Sequence, residues 1–300
     1  YVDGHFKIGT ATRSRADGGT DLLAPDAKGG WRTTGEIPFG DSLTTVPGGY
    51  TTDGATLYVT ESRGRDKAAL FAIDAEGKSQ LLLEDPRVDI GELLRDPKTG
   101  EVDAVSVNDL REEWKVLDPS LEADFAKLKT LGDGDVAVAS RTLDDKTWIV
   151  QYGAAETPAT YYRYDRGSDG KLTRLFSVRP KLEGKPLVAM NPVRIPSRDG
   201  LQLVSYLTLP ESADANHDGR ADAPVPLVLY VHGGPWARDS YAYFGTVQWL
   251  ANRGYAVLQP NFRGSTGFGK DFTNKADQEW AGKMHDDLID AVKWAIDNGV

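Results

Sequence analysis

The 300-residue sequence contains no cysteine and only two methionines. Without thiols, the chain has no disulfide, no cysteine nucleophile and no sulfur-ligated metal site. A chain without cysteine is compatible with both reducing and oxidising surroundings, so the composition leaves its localisation open.

The chain also has no excess of basic residues over acidic ones. The 35 Lys and Arg residues against 45 Asp and Glu residues give a formal net charge of -10. Proteins that bind polyanions carry clustered positive charge. We therefore expect neither nucleic acid nor an anionic membrane surface as a partner.

Long apolar runs are absent too. None approaches the roughly 18 residues that a membrane-spanning helix needs, and the first residues lack the order typical of a signal peptide. The sequence begins with Tyr1 rather than Met, so we expect a processed or cut start. What is present, 40% hydrophobic and 27% charged residues, is typical of one large or two ordinary globular domains.

Residues 1–190 consist of short strand-like runs separated by turn residues. One pattern recurs, an alternating strand that closes on aspartate, at Asp74, Asp118 and Asp165, with spacings of 44 and 47 positions. A four-stranded propeller blade requires about 40–50 residues. The spacing predicts a partial β-propeller of about four blades, with a β-sandwich with irregular turns as the alternative left open.

Residues 191–300 follow a different pattern, in which strands alternate with helices. A hairpin signal at Asp199 and Gly200 precedes a continuous apolar run at 225–231, a helix at 242–252, a strand at 255–259 and a helix at 277–297. This order predicts an α/β domain with a mixed, mostly parallel sheet. The apolar stripe of the last helix comprises Met284, Leu288, Ala291, Val292 and Ala295.

Two glycine-rich segments follow the predicted core strands. The first, residues 230–236, contains His232, Gly233 and Gly234, and the second spans residues 261–269. Glycine in such a loop lets a substrate carbonyl approach backbone N–H groups without meeting a side chain. These two segments, followed by residues 280–288, resemble the opening of the catalytic domain in the prolyl oligopeptidase family, especially its acylaminoacyl-peptidase and dipeptidyl aminopeptidase types.

The resemblance implies β-propeller blades followed by the N-terminal part of an α/β-hydrolase fold. It also implies a serine peptidase that acts on short peptides through an acyl-enzyme, without a cofactor. The N–H groups near Gly233 and Gly234 would then contribute to the oxyanion hole, and His232 would order that loop or pack there rather than act as the base.

The nucleophile motif of this family, Gly-x-Ser-x-Gly, does not occur in the sequence. Residues 40–44 end in Thr44 where the last glycine belongs, and Ser265 has Arg263 two positions before it. Since the triad order in this fold is Ser, then acid, then His, we expect all three to lie beyond Val300. The chain is therefore predicted to be a fragment that is inactive alone and prone to aggregate.

A separate pattern lies at residues 214–222. Oxygen-bearing side chains at alternate positions followed by glycine reproduce the first half of a Ca²⁺-binding loop. The glutamate expected at the twelfth position is absent, and a polar surface loop is the alternative left open. The candidate ligands are Asp214, Asn216, Asp218 and Asp222.

The acidic pair Glu112 and Glu113 is expected to lie at a solvated strand edge, although dipeptidyl peptidases of the resembled family bind the substrate amine with such a pair. Two other functions stay open at this point: an esterase with the same oxyanion loop, and a non-catalytic interaction protein. The sequence does not determine whether the chain forms homo-oligomers.

Overall fold

The computed structural model describes residues 1–167 and 169–300. Two compact units divide the chain. Unit 1 comprises Tyr1–Asn108, Trp114–Pro119 and Gly267–Asn274, and unit 2 comprises Asp109–Glu113, Ser120–Thr266 and Lys275–Val300. The domain boundary expected near residue 190 stays a prediction.

Within the described residues, the strands up to residue 177 form four small sheets, in which strands that follow one another in the chain lie side by side in antiparallel hairpins. The first holds β1 (Ala11–Ser14), β2 (Thr20–Pro25) and β3 (Trp31–Ile37); the second holds β4 (Val46–Tyr50), β5 (Leu57–Glu61), β6 (Ala69–Ile73) and β7 (Ser79–Leu83). The third holds β8 (Ile90–Arg95), β9 (Val102–Asn108) and β10 (Glu112–Val116). Helix α1 (Glu122–Leu128) precedes the fourth, which holds β11 (Asp135–Arg141), β12 (Thr147–Ala154), β13 (Thr157–Asp165) and β14 (Lys171–Ser177).

The recurring aspartates occupy equivalent positions in three of these sheets. Asp74 directly follows β6, Asp118 follows β10 and Asp165 ends β13, and each of these strands is the third of its sheet. The sequence repeat therefore marks a structural repeat, in which the aspartate stands where the third strand turns away from the sheet.

A fifth sheet lies in unit 2 and is mixed. Its strands are β15 (Met190–Pro196), β16 (Gln202–Thr208), β17 (Leu227–Leu229) and β18 (Ala256–Pro260), in the order β15, β16, β18, β17. Only β17 and β18 pair in parallel. The expectation of a mostly parallel sheet is therefore wrong for these four strands, because the tight turn at residues 197–201, with Gly200 at φ +92°, makes β15 and β16 an antiparallel hairpin.

Three helices accompany this part of the chain: α2 (Gly245–Ala251), α3 (Lys270–Asn274) and α4 (Lys283–Asp297). The apolar stripe of α4 is buried or half-buried, and the helix contacts β15 and β18. Helix α4 starts six residues later than expected, because Gln278 and Ala281 adopt left-handed conformations (φ +60° and +57°) that end helical geometry there. None of the described helices is long and apolar enough to cross a membrane.

Candidate active site

The loop that follows β17 presents two backbone donors to solvent. Gly233 and Gly234 are exposed, whereas Pro235 beside them is buried. Within the described residues, the N–H groups of the two glycines donate no hydrogen bond. Unpaired N–H groups on an exposed loop at the carboxyl end of a strand are able to bind an oxyanion.

The two glycines differ in whether the structure has room for a side chain at their positions. A Cβ atom on Gly233 would meet nothing within 4 Å. Gly234 has φ +129°, and a Cβ atom there would lie 2.6 Å from the backbone nitrogen of Trp236. Gly234 is therefore required by the loop conformation itself, whereas Gly233 leaves space above the loop.

His232 joins this loop to the second glycine-rich segment. Its Nδ1 lies 2.9 Å from the carbonyl oxygen of Gly233, and its Nε2 lies 2.9 Å from Oγ of Ser265. The imidazole also stacks on Phe262, with ring centroids 4.7 Å apart. The ring is thus held by contacts on its face and at both nitrogens.

The contact at Nδ1 orients a peptide plane. In a planar trans peptide, the C=O and the following N–H point in opposite directions. Since the carbonyl of Gly233 faces the imidazole, the N–H of Gly234 points away from it. This geometry supports a role for His232 in ordering the loop, the first of the two roles expected from the sequence.

The second glycine-rich segment braces the first at two further places. The side-chain amide of Asn261 accepts from the N–H of Asp239 at 2.8 Å and donates to its carbonyl at 3.1 Å. The N–H of Thr266 donates to the carbonyl of Ala237 at 2.9 Å. We call residues 261–266 the brace, because they hold residues 232–239, the oxyanion loop, along its length.

A buried ion pair fixes the brace in turn. Arg263 is 2% exposed and donates to both carboxylate oxygens of Asp287 in α4, which is fully buried, at 2.7 and 2.8 Å. It also donates to Asp199 in the β15–β16 turn at 2.8 and 2.9 Å. The hydrogen bonds that Arg263 donates to Asp199 hold the pKa of this carboxyl group well below its usual range, and those that it donates to Asp287 raise the pKa of Arg263 itself.

Asp239, at the end of the oxyanion loop, places a carboxylate in the interior. The residue is 5% exposed, and burial raises the pKa of its side chain. Coulombic attraction to His232 and Arg238 acts in the opposite direction but does not offset burial. A carboxyl group in this position costs stability when it ionises.

The candidate calcium loop is closed by its own hydrogen bonds. Asp214 accepts the N–H groups of Asp218 and Gly219 at 2.9 and 3.1 Å, and Asp218 accepts that of Arg220 at 2.9 Å. Asn216 donates to Asp218 and Asp222 accepts weakly from Ala215. In residues 1–167 and 169–300, no three His, Asp or Glu side chains are grouped so as to hold a metal ion, and Ca²⁺ binding by the loop stays a prediction.

The contacts described for the other candidate residues lie outside the oxyanion loop. Glu112 and Glu113 begin β10, and the N–H of Glu112 bonds to the Asp135 carboxylate. His217 lies 3.7 Å from Glu211 with both side chains exposed, and His285 is exposed on α4.

Sequence reasoning missed four residues of this site: Asn261, Arg263, Asp239 and Asp287. A signal existed for one of them. Asp287 stands beside the apolar stripe of α4, and an acidic residue on the buried side of a helix indicates a buried cationic partner.

Comparisons with known proteins place the chain among peptidases. Residues 241–300 match the model of the prolyl oligopeptidase family. Dipeptidyl aminopeptidase BIII from Pseudoxanthomonas mexicana is 68% identical over 300 residues, which is 100% of this chain and 43% of that protein. Dipeptidyl peptidase family member 6 from Caenorhabditis elegans is 31% identical over 326 aligned residues, covering 100% of this chain and 44% of that protein.

A solved structure shows the same fold. A puromycin-hydrolyzing peptidase from Mycobacterium tuberculosis superposes with a TM-score of 0.64 at 22% identity, covering 95% of this chain and 43% of that structure. The chain thus spans less than half the length of these relatives.

Proposed function

Because the chain belongs to the prolyl oligopeptidase family, we propose that the gene product containing these 300 residues is a serine peptidase that cleaves oligopeptides through an acyl-enzyme. The name of the 68%-identical relative, a dipeptidyl aminopeptidase, supports release of dipeptides from the substrate's N-terminus.

The observation that carries this proposal is the pair of unpaired N–H groups at Gly233 and Gly234. In peptide hydrolysis, negative charge develops on the carbonyl oxygen as the nucleophile attacks, and preorganised donors lower the barrier. The brace holds these donors in place before the substrate binds. Each such donor typically contributes about 10²–10³-fold in rate.

The reacting serine and its acid and base are assigned to residues of the gene product outside these 300. Two observations argue against Ser265 as the nucleophile: it is fully buried, and its hydroxyl donates to the carbonyl of Phe262 at 2.6 Å. The architecture proposed for residues 1–190 is a set of propeller blades, and for residues 191–300 the start of an α/β hydrolase.

The test uses the complete gene product. We expect labelling of one serine outside residues 1–300 by a fluorophosphonate, and release of dipeptides from unblocked oligopeptides. An esterase would hydrolyse acyl esters and leave the peptides intact, while a binding protein would do neither. Absence of both labelling and peptide cleavage in folded protein would exclude the proposal.

A further inference from the structure

Eight residues next to the candidate active site fold with unit 1. Gly267–Asn274 belongs to that unit, although the residues on both sides of it in the sequence, Ser120–Thr266 and Lys275–Val300, belong to unit 2. We call these eight residues the anchor. They directly follow the brace, so any displacement of the anchor is transmitted to the brace through the backbone.

Hydrogen bonds attach the start of the anchor to unit 1. The N–H of Asp89 donates to the carbonyl of Gly267 at 3.0 Å, and the N–H of Gly269 donates back to the Asp89 carboxylate at 3.0 Å. The ammonium group of Lys67 donates to the carbonyl of Phe268 at 2.6 Å. Helix α3 continues this attachment, since the N–H groups of Lys270 and Asp271 donate to Asp66 at 3.0 and 2.8 Å.

The backbone of the anchor lies so close to the residues it contacts that position 269 requires glycine. Gly269 has φ +92°, and a Cβ atom on it would lie 2.6 Å from Nζ of Lys67 and 2.7 Å from a carboxylate oxygen of Asp66. The backbone of the anchor therefore lies directly against these two side chains.

Lys270 inserts its ammonium group into a socket of buried polar groups. The Nζ atom donates to the Asp41 carboxylate at 2.8 Å and to the carbonyl of Ser62 at 3.0 Å. Asp41 is 8% exposed and also accepts from the hydroxyl of Ser62, which is fully buried. The hydroxyls of Thr44 and Thr45 complete the socket, 2.7 and 3.1 Å from that of Ser62.

A charged hydrogen bond to a largely buried carboxylate is stronger and more directional than one at the surface. Removing the ammonium group would leave Asp41 without its cation, and the structure would relax to relieve this. Asn274 adds a second tie to the same region, since its side-chain amide donates to the carbonyl of Gly40 at 2.7 Å.

We propose that the anchor positions the oxyanion loop, with Lys270 as the positioning residue. The socket holds Lys270, the anchor continues into the brace, and the brace holds the oxyanion loop through Asn261 and Thr266. Lys270 does not touch the loop, so it acts only through this chain of contacts. The attachment of the anchor thereby takes part in setting the geometry of the candidate donors at Gly233 and Gly234.

Hydrogen exchange of the complete gene product tests this without any assay of activity. In the Lys270→Met variant, we expect the hydrogen-bonded amides of the oxyanion loop and the brace to exchange at least about tenfold faster than in the wild type. These are the N–H groups of Ala237, Asp239, Asn261, Arg263, Ser265 and Thr266. The matched control is Lys275→Met, which removes the same charge from an exposed side chain five positions on. Faster exchange confined to the anchor would overturn the proposal.

Kinetics provide the second measurement, and this part rests on the proposed peptidase function. Displacement of the donors by a fraction of an ångström is expected to lower kcat by about 10- to 100-fold with little change in KM. Lys270→Arg, which retains the charge, should recover part of kcat. Wild-type kcat in a folded Lys270→Met variant would overturn the proposal, whereas an inactive wild type would contradict the peptidase assignment and leave the exchange result to decide.

Two further variants protect the test against misfolding. Asp41→Asn removes the other charge of the pair, and its effect combined with Lys270→Met should not exceed that of either change alone, because the two residues act as a unit. Asn274→Ala removes only the neutral tie to Gly40 and should produce a smaller effect in the same amides. Independent, additive effects of Lys270 and Asp41 would count against the socket.

Discussion

The hydroxyl oxygen of Ser265 lies 2.9 Å from Nε2 of His232. Serine and histidine at this distance are the usual sign of a nucleophile and its base. Here the serine is fully buried, and the other ring nitrogen faces the carbonyl oxygen of Gly233 rather than a carboxylate. The hydroxyl of Ser265 donates its proton to the carbonyl of Phe262 at 2.6 Å, so its oxygen accepts at Nε2 and the pair positions a loop.

This assignment predicts a mild effect of Ser265→Ala. The variant loses one of the two hydrogen bonds to His232, but stacking on Phe262 remains, so we expect kcat to fall by less than about 100-fold. Loss of a true nucleophile costs on the order of 10⁴-fold or more. Loss of fluorophosphonate labelling in a folded Ser265→Ala protein would contradict the assignment.

The two loop glycines should respond differently to alanine. Gly234→Ala introduces a side chain at φ +129° and a contact of 2.6 Å with the backbone of Trp236, so the loop must move and kcat should fall by about 10²-fold. Gly233→Ala enters open space and retains its N–H, so the loop keeps its conformation and kcat should fall by less than in Gly234→Ala, although the added methyl group meets the approaching substrate carbonyl. Steady-state kinetics on one dipeptidyl substrate would measure both, and equal losses would show that the loop conformation is not the cause.

The buried pair of Arg263 and Asp287 should dominate the stability of this region. Arg263→Met leaves the Asp287 carboxylate buried without a cation, which typically costs about 3–5 kcal/mol in the free energy of unfolding. The double variant Arg263→Met with Asp287→Leu removes both charges, and we expect it to regain a substantial part of that loss. Urea unfolding gives both values, and a double variant as unstable as the single one would contradict the charge explanation.

Asp239 should make stability depend on pH. Because burial raises its pKa in the folded chain, the folded state keeps the proton to a higher pH than the unfolded state, whose pKa is about 3.9. Stability therefore falls as pH rises from about 4 through the raised pKa, and is constant above it. Asp239→Asn removes this term, so its unfolding free energy relative to wild type should increase across that window.

The control for this measurement is Asp277→Asn, which changes an exposed carboxylate. Its difference from wild type should not vary with pH in the same way. If Asp239→Asn and Asp277→Asn gave parallel curves, burial of Asp239 would not be the cause.

Much of the local structure could be predicted because it depends on short sequence patterns. The closing aspartates marked the third strands, and the two glycine-rich segments marked the loops after β17 and β18. The apolar stripe of α4 gave its buried face correctly. Each of these features is set by neighbours within a few positions.

The features that the sequence did not predict have a different physical origin. The apolar run at 225–231 forms only a three-residue strand, although the N–H of Tyr230 still donates to the carbonyl of Leu258 in β18 at 2.8 Å. Arg263 lies in what the sequence shows as an ordinary polar segment, and only Asp287 and Asp199, 24 and 64 positions away, explain its burial. Such partners are brought together by the tertiary fold, and the local pattern around Asp287 indicates that it needs a cation but not which residue supplies it.

The socket for Lys270 is completed only late in the synthesis of the chain. Asp41 and Lys270 are separated by 229 positions, and ribosomes add about 5–20 residues per second. The segments that carry Asp41 and Ser62 are synthesised first, at least about ten seconds before the lysine. During that interval a largely buried carboxylate lacks its cation, so nascent unit 1 should be less stable than the finished protein and depend on chaperones until α3 has been synthesised.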